Sequence, residues 1–281
     1  MDYEHFLAAK ERLPLSGGVH VEDEELHQGA FPFQRDLARW AIRKGRAAIF
    51  ATTGMGKTLM QLMWAQASGD RVLILAPLGV VAQTVREGEH WGISVTPARS
   101  AQEAPLHGIT ITNYEMLEHF TALIQEGPVR LGPTFDDVVL DESSILKSFD
   151  GKTRTRLIEL FANTPRRICC SATPAPNDIA EIANHAEFLG IMRRVDMLAT
   201  YFVHDDDGWR LKGHARQPFY KWLASWGMSL TMPSDLGYSD DGFALPPLTV
   251  TPIAIDGEFA PEGQLFHTGL TGITGRANLR A

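Results

Sequence analysis

Residues 51–58, Ala51-Thr52-Thr53-Gly54-Met55-Gly56-Lys57-Thr58, directly follow the apolar run Ala47-Ala48-Ile49-Phe50. This order constrains the chain to a strand that ends, turns tightly through glycines and restarts as a helix. Such a turn aims successive backbone N–H groups at an anion, and the helix start adds its dipole. The run Leu59-Met60-Gln61-Leu62-Met63-Trp64-Ala65 supplies the helix. The segment reads as a phosphate-binding loop for a nucleoside triphosphate. Thr53, Gly54, Met55 and Gly56 line the phosphates, Lys57 reaches the β/γ-phosphates, and the Thr58 hydroxyl holds Mg²⁺. Ala51 stands where the strict pattern has glycine.

The rest of the chain alternates helix and strand. Helices are predicted over 34–44, 57–67, 80–89, 114–125 and 153–162. Strands are predicted at 47–51, 72–76, 109–112, 138–140 and 167–170. Val72-Leu73-Ile74-Leu75-Ala76 is apolar throughout, as a strand of a parallel sheet covered on both faces should be. The fold class is therefore α/β, an open, mostly parallel sheet with helices on both faces. Residues 1–30 read as a polar, loosely attached lead-in with a solvated acidic run at Glu22–Glu25, and 31–195 as the main domain. Residues 196–258 read as a smaller C-terminal extension, with a hairpin turning at Asp207-Gly208 and a helix over 218–230 carrying Trp222 and Trp226 in its core. Residues 259–281 read as a tail or linker.

Composition narrows the setting. The apolar fraction of 44% and charged fraction of 21% are those of a water-exposed globular domain. No apolar run is long enough to cross a bilayer, no secretory signal is visible, and membrane association is not expected. The two cysteines, Cys169 and Cys170, are adjacent, so an ordinary disulfide between them is not expected, and a reducing, cytoplasmic setting fits. The net charge of −8 argues against a wholesale polyanion binder but leaves room for local phosphate contacts.

A phosphate loop that supports hydrolysis needs a carboxylate site. Val138-Val139-Leu140 ends in Asp141-Glu142, where an open sheet binds ligands. Asp141 is placed to hold Mg²⁺, and Glu142 to polarise the attacking water. Ser171 and Thr173, after the strand at 167–170, can hydrogen-bond those carboxylates and relay nucleotide state. The Gln34 amide can read an adenine edge, selecting ATP.

In order, these residues resemble the first RecA-like motor domain of superfamily 2 helicases, closest to the Snf-type and phage-encoded DEAD-like branch. Phe33-Gln34 match the Q motif, Ala51–Thr58 motif I, and Ala76-Pro77-Leu78 motif Ia. Thr112-Asn113-Tyr114-Glu115 lie near motif Ib, with Asp141-Glu142-Ser143-Ser144 as motif II and Ser171-Ala172-Thr173-Pro174 as motif III. The resemblance spans roughly 31–190. It implies ATP and Mg²⁺ as cofactors, DNA (or RNA) as partner, and nucleic-acid contacts at Pro77, Leu78, Thr112, Asn113 and Tyr114. It further implies a bacterial or phage-infected cytoplasm. Such motors carry a second RecA-like domain with an arginine that completes the ATP site. About thirty residues follow Pro252, and Arg276 and Arg280 lack a surrounding helix, so half a motor is expected, completed by another chain or truncated. The rival readings are a nucleotide-gated nucleic-acid-binding module with little turnover and a P-loop ATPase outside the helicases, such as a packaging motor.

Overall fold

Strand β1 (Arg46–Ala51) is the seed of a seven-stranded sheet. The sheet's other strands are β2 (Arg71–Ala76), β3 (Val95–Pro97), β4 (Gly108–Asn113), β5 (Asp137–Asp141), β6 (Arg166–Cys170) and, beyond a separate hairpin, β9 (Gly227–Leu230). The computed structural model describes residues 17–124, 134–147, 151–205, 208–243 and 250. The sequence readings on Gln125, Pro246, Pro247, Thr251, Pro252, 259–281, Arg276 and Arg280 lie outside them. Contacts divide the chain into two units, Met1–Phe243 and Ala244–Ala281, and the sheet lies in the first.

The strand order is β3-β4-β2-β5-β6-β1-β9, every pairing parallel. This is the open parallel α/β sheet expected from the alternation. Period two sorts the strand side chains cleanly between two cores. Ala47, Ile49 and Cys170 join one, with α1 (Pro32–Lys44) and α2 (Lys57–Ser68) over it. Ala48, Phe50 and Cys169 join the other, with α4 (Lys152–Leu160), α5 (Ile182–Phe188), α6 (Arg194–Tyr201) and α7 (Arg216–Ala224). Between β2 and β3, α3 (Leu78–His90) packs on the first side. Leu73, Ile74 and Leu75 are fully buried, each adding about 1.5–3 kcal/mol of apolar burial. Cys169 and Cys170 are both free thiols facing opposite cores.

Four local readings change. The helix expected over 114–125 is a 3-10 helix, Tyr114–Leu123. Tyr114, Leu117 and Phe120 recur every third residue and are all buried, so a three-residue turn keeps them on one face. The helix expected over 218–230 stops at Ala224, and Gly227–Leu230 becomes β9. A side chain at Gly227 would press on Leu223 and on the Phe50 ring of β1, both at 3.3 Å, so glycine lets the strand close in. Trp222 and Trp226 are core, 5.3 Å apart. Strands β7 (Phe202–Asp205) and β8 (Gly208–Leu211) do form a hairpin, but Gly208 pairs with Asp205 and so belongs to β8 rather than to the turn, while Asp207 lies outside the described residues. The described part of the lead-in, 17–30, is docked rather than loose. Val21, Leu26 and Ala30 are buried, and Arg35 donates to Asp23 at 3.2 Å. Among the described residues, no helix is long and apolar enough to cross a membrane.

Candidate nucleotide site

The C-terminal ends of β1, β6 and β5 are neighbours in the sheet, although β2, β3 and β4 separate β1 from β5 in the chain. This adjacency brings three sequence segments to one edge. After β1 the backbone passes through Gly54 at φ 92° and Gly56 at φ 76°, and α2 starts at Lys57. A Cβ on Gly56 would sit 2.2 Å from the Gln34 amide nitrogen, so only glycine fits there. Space around Gly54 is open within 4 Å of where a Cβ would stand, leaving room above the loop. Lys57 Nζ folds back on the loop, donating to the carbonyls of Ala51 at 3.0 Å and Thr52 at 3.4 Å. Thr58 follows in the first turn of α2.

Gln34 is buried and already engaged. Its Nε2 donates to the Met55 carbonyl at 3.0 Å, and its Oε1 accepts from Phe31 N at 3.0 Å. The amide expected to read an adenine edge is thus committed to the loop and to the start of α1. It acts as a clamp because α1 packs directly on α2.

At the end of β5, Asp141 is 6% exposed. Its Oδ1 accepts from Gln61 Nε2 at 2.7 Å and from Glu142 N at 3.1 Å. Burial pushes its pKa up, the Gln61 hydrogen bond opposes this, and the neighbouring Glu142 adds to it. Gln61 was not singled out in the sequence. The available signal was a lone amide in an apolar helical run, four residues after Lys57 and so on the same face. Glu142 is the one non-glycine among the described residues with a left-handed backbone, φ 50°. That conformation costs about 1–3 kcal/mol and persists where surroundings over-determine it. Ser171 Oγ donates to Glu142 Oε2 at 3.5 Å and accepts from Thr173 N at 3.1 Å, so 171–173 joins the carboxylate edge.

Among the described residues, no cluster of three or more His, Cys, Asp or Glu side chains could hold a metal by itself. The donor set nevertheless suits Mg²⁺ carried on a triphosphate, which takes one or two protein oxygens and keeps waters. Asp141 Oδ2 and the Thr58 hydroxyl are the oxygens offered.

The proposed nucleic-acid residues separate. Leu78 is 69% exposed at the start of α3, with Pro77 before it as the cap. Asn113 is partly exposed, and its Oδ1 caps the 3-10 helix by accepting from Met116 N at 3.0 Å. Leu78, Asn113 and the exposed Arg99 line an open cleft of about 470 Å³. Thr112 is 2% exposed at its floor. Tyr114 turns inward instead, its hydroxyl donating to the Asp141 carbonyl at 2.6 Å. Burial first, then the nearby Asp141 carboxylate, pushes its pKa well up. Its side chain braces β5 and is withdrawn from the surface, because the 3-10 turn aims position 114 at the core.

Behind Glu142, His185 is fully buried, 3.1 Å from Ser143 Oγ and edge-on to Phe50. Burial holds its pKa down to about 4. The unfolded chain therefore binds this proton first, and the native state is penalised as pH falls from about 6.5 to about 4. The loss amounts to about 3 kcal/mol. Buried Asp137 and Asp141, with raised pKa values, act in the opposite sense. Urea midpoints of wild type and His185→Gln across this range should converge as pH falls, and parallel curves would contradict a buried neutral imidazole.

The comparisons with known proteins bear on this arrangement. The SNF2-related domain model matches residues 33–196, more than half the chain. The chain belongs to the SNF2-related domain family. It is 26% identical over 171 residues to a SWI/SNF-related matrix-associated actin-dependent regulator of chromatin subfamily A-like protein 1 from Xenopus tropicalis. That match covers 57% of this chain and 17% of the relative. It is also 26% identical over 208 residues to the ATP-dependent helicase rhp16 of Schizosaccharomyces pombe, covering 64% of this chain and 24% of the relative. The chain thus spans a quarter or less of these curated relatives. In fold, it is similar to the Sulfolobus solfataricus SWI2/SNF2 ATPase core solved with dsDNA. That likeness has a TM-score of 0.62 at 16% identity, over 76% of this chain and 47% of that one. As an SNF2-related domain it is a Snf-type RecA-like motor domain, and the edge holding Lys57, Asp141 and Glu142 is its sheet's C-terminal edge.

Proposed function

We propose that this SNF2-related domain is the ATP-binding first motor domain of a DNA helicase or translocase. Completed by a second RecA-like domain, it couples ATP hydrolysis to movement on nucleic acid. The observation that carries the reading is the adjacency of β1, β6 and β5, which gathers Lys57, Ser171 and Asp141-Glu142 at one edge.

Lys57 exchanges its bonds to the Ala51 and Thr52 carbonyls for the β/γ-phosphate oxygens, a charge-assisted contact stronger than the one it leaves. Thr53, Gly54, Met55 and Gly56 offer backbone N–H groups, while Gln34 holds the loop in shape. Thr58 and Asp141 hold Mg²⁺, which neutralises phosphate charge. Gln61 orients the Asp141 carboxylate. Glu142 orients and deprotonates the attacking water, its left-handed backbone fixing where the carboxylate points. Ser171 and Thr173 link that carboxylate to the strand end after β6, so they are the coupling residues.

Leu78 and Asn113 border the cleft at the end of β4, with Pro77 just before Leu78, and a nucleic-acid backbone is received there. DNA is the favoured partner because the Sulfolobus relative was solved with dsDNA. The test is MgATP hydrolysis by the chain with and without single-stranded and duplex DNA, a second RecA-like domain being supplied or omitted. Turnover that rises with DNA once both halves are present is expected. ATP binding without any DNA response would favour the nucleotide-gated binding module instead.

A further inference from the structure

The loop that begins at Thr52 is fastened from a distant part of the chain. Thr52 N donates to the Leu230 carbonyl at 2.9 Å, and Thr52 Oγ1 to the Thr231 carbonyl at 2.9 Å. Leu230 ends β9 and Thr231 follows it, and the pairing of β9 with β1 runs from Ala48 opposite Gly227 to Ala51 opposite Leu230. The turn beyond is held locally. Asp235 Oδ2 accepts from Thr231 N at 2.6 Å and Met232 N at 3.1 Å, and Asp240 Oδ1 accepts from Ser234 N at 2.8 Å.

The same segment then reaches α1. The Tyr238 hydroxyl hydrogen-bonds Asp36, and the Phe243 ring meets Phe31 at 5.0 Å and Phe33 at 5.2 Å, both edge-on. From α1, Gln34 holds the Met55 carbonyl. Residues 231–243 therefore grip the loop twice, directly at Thr52 and through α1 at Met55.

We propose that Thr231–Phe243 is a positioning strap for the nucleotide site. Thr52 and Asp235 set the phosphate loop, and Tyr238 and Phe243 set the helix that carries Gln34. The inference rests on the reading of residues 51–58 as a nucleotide loop. Its physical basis is pre-organisation. A glycine-bearing loop has many conformations, and only one aims its N–H groups together. Ties at both ends remove that freedom before ligand arrives, so less affinity is lost to ordering. None of the strap residues need touch the nucleotide.

Affinity for a fluorescent ATP analogue with Mg²⁺, measured on the full chain beside its thermal midpoint, tests the strap. Thr52→Val and Asp235→Ala should weaken binding by the folded fraction about five- to tenfold, Asp235→Ala also lowering Tm through the loss of its bonds to Thr231 N and Met232 N. Thr52→Ser and Asp235→Asn, which keep the donor and the acceptor oxygen, should bind within about twofold of wild type. A merely structural role would lower Tm and leave the affinity of the folded fraction unchanged. Wild-type affinity in both Thr52→Val and Asp235→Ala would overturn the strap while leaving the nucleotide site standing. Absence of MgATP binding by wild type would instead remove the nucleotide reading and the strap with it. Should Asp235→Ala not fold, Tyr238→Phe removes a single hydroxyl, and an unchanged affinity there counts equally against the proposal.

Discussion

Glu142→Gln is expected to bind MgATP normally and to lose about 10²–10⁴-fold in turnover, the usual contribution of a positioned base. The exchange keeps the shape of the side chain and its ability to accept from Ser171 Oγ, which lies 3.5 Å from Oε2. It leaves the left-handed backbone at φ 50° unchanged. What it removes is the negative charge that draws a proton from water. Asp141→Asn should differ in kind. It retains the Gln61 and Glu142 N contacts on Oδ1, yet it should raise the Mg²⁺ concentration needed for turnover. Single-turnover hydrolysis alongside nucleotide titration separates the two. Undiminished turnover in Glu142→Gln would remove Glu142 from the chemistry.

Lys57→Ala is expected to weaken MgATP binding by about 10–100-fold, since hydrogen bonds to charged groups contribute about 1.5–3 kcal/mol. Folding should be nearly unaffected. Among the described residues the ammonium donates to the carbonyls of Ala51, which ends β1, and Thr52, at 3.0 and 3.4 Å, and the Lys57 side chain is itself only half-buried. Calorimetric titration with ATP, with the denaturation curve as control, decides the matter. Equal ATP affinity in the two proteins would mean that the loop does not bind phosphate.

Much of the fold was legible because it is written in local patterns. Apolar runs such as Val72–Ala76 must be strands covered on both faces, and glycine after Ala51 must turn the chain. What escaped reading was local in a different way. Tyr114, Leu117 and Phe120 recur every third residue, a period that a search for 3.6-residue spacing absorbs into an α-helix. Gly227 looked like a residue inside a helix because its close neighbour, Phe50, lies on another element.

The sequence by itself determined the class of fold and the residue types at the ends of its strands. The loop glycines, Lys57 and the pair Asp141-Glu142 stand out at strand ends because each pattern is complete within a few residues. Only the tertiary structure decided which strand ends meet. Strand order depends on how helices pack over both faces, and it made β1, β6 and β5 neighbours while placing β2 on the far side of β5. It also decided where polar groups are spent. Gln34 closes on Met55 and Tyr114 on the Asp141 carbonyl, since a buried donor or acceptor must find its partner wherever the chain brings one.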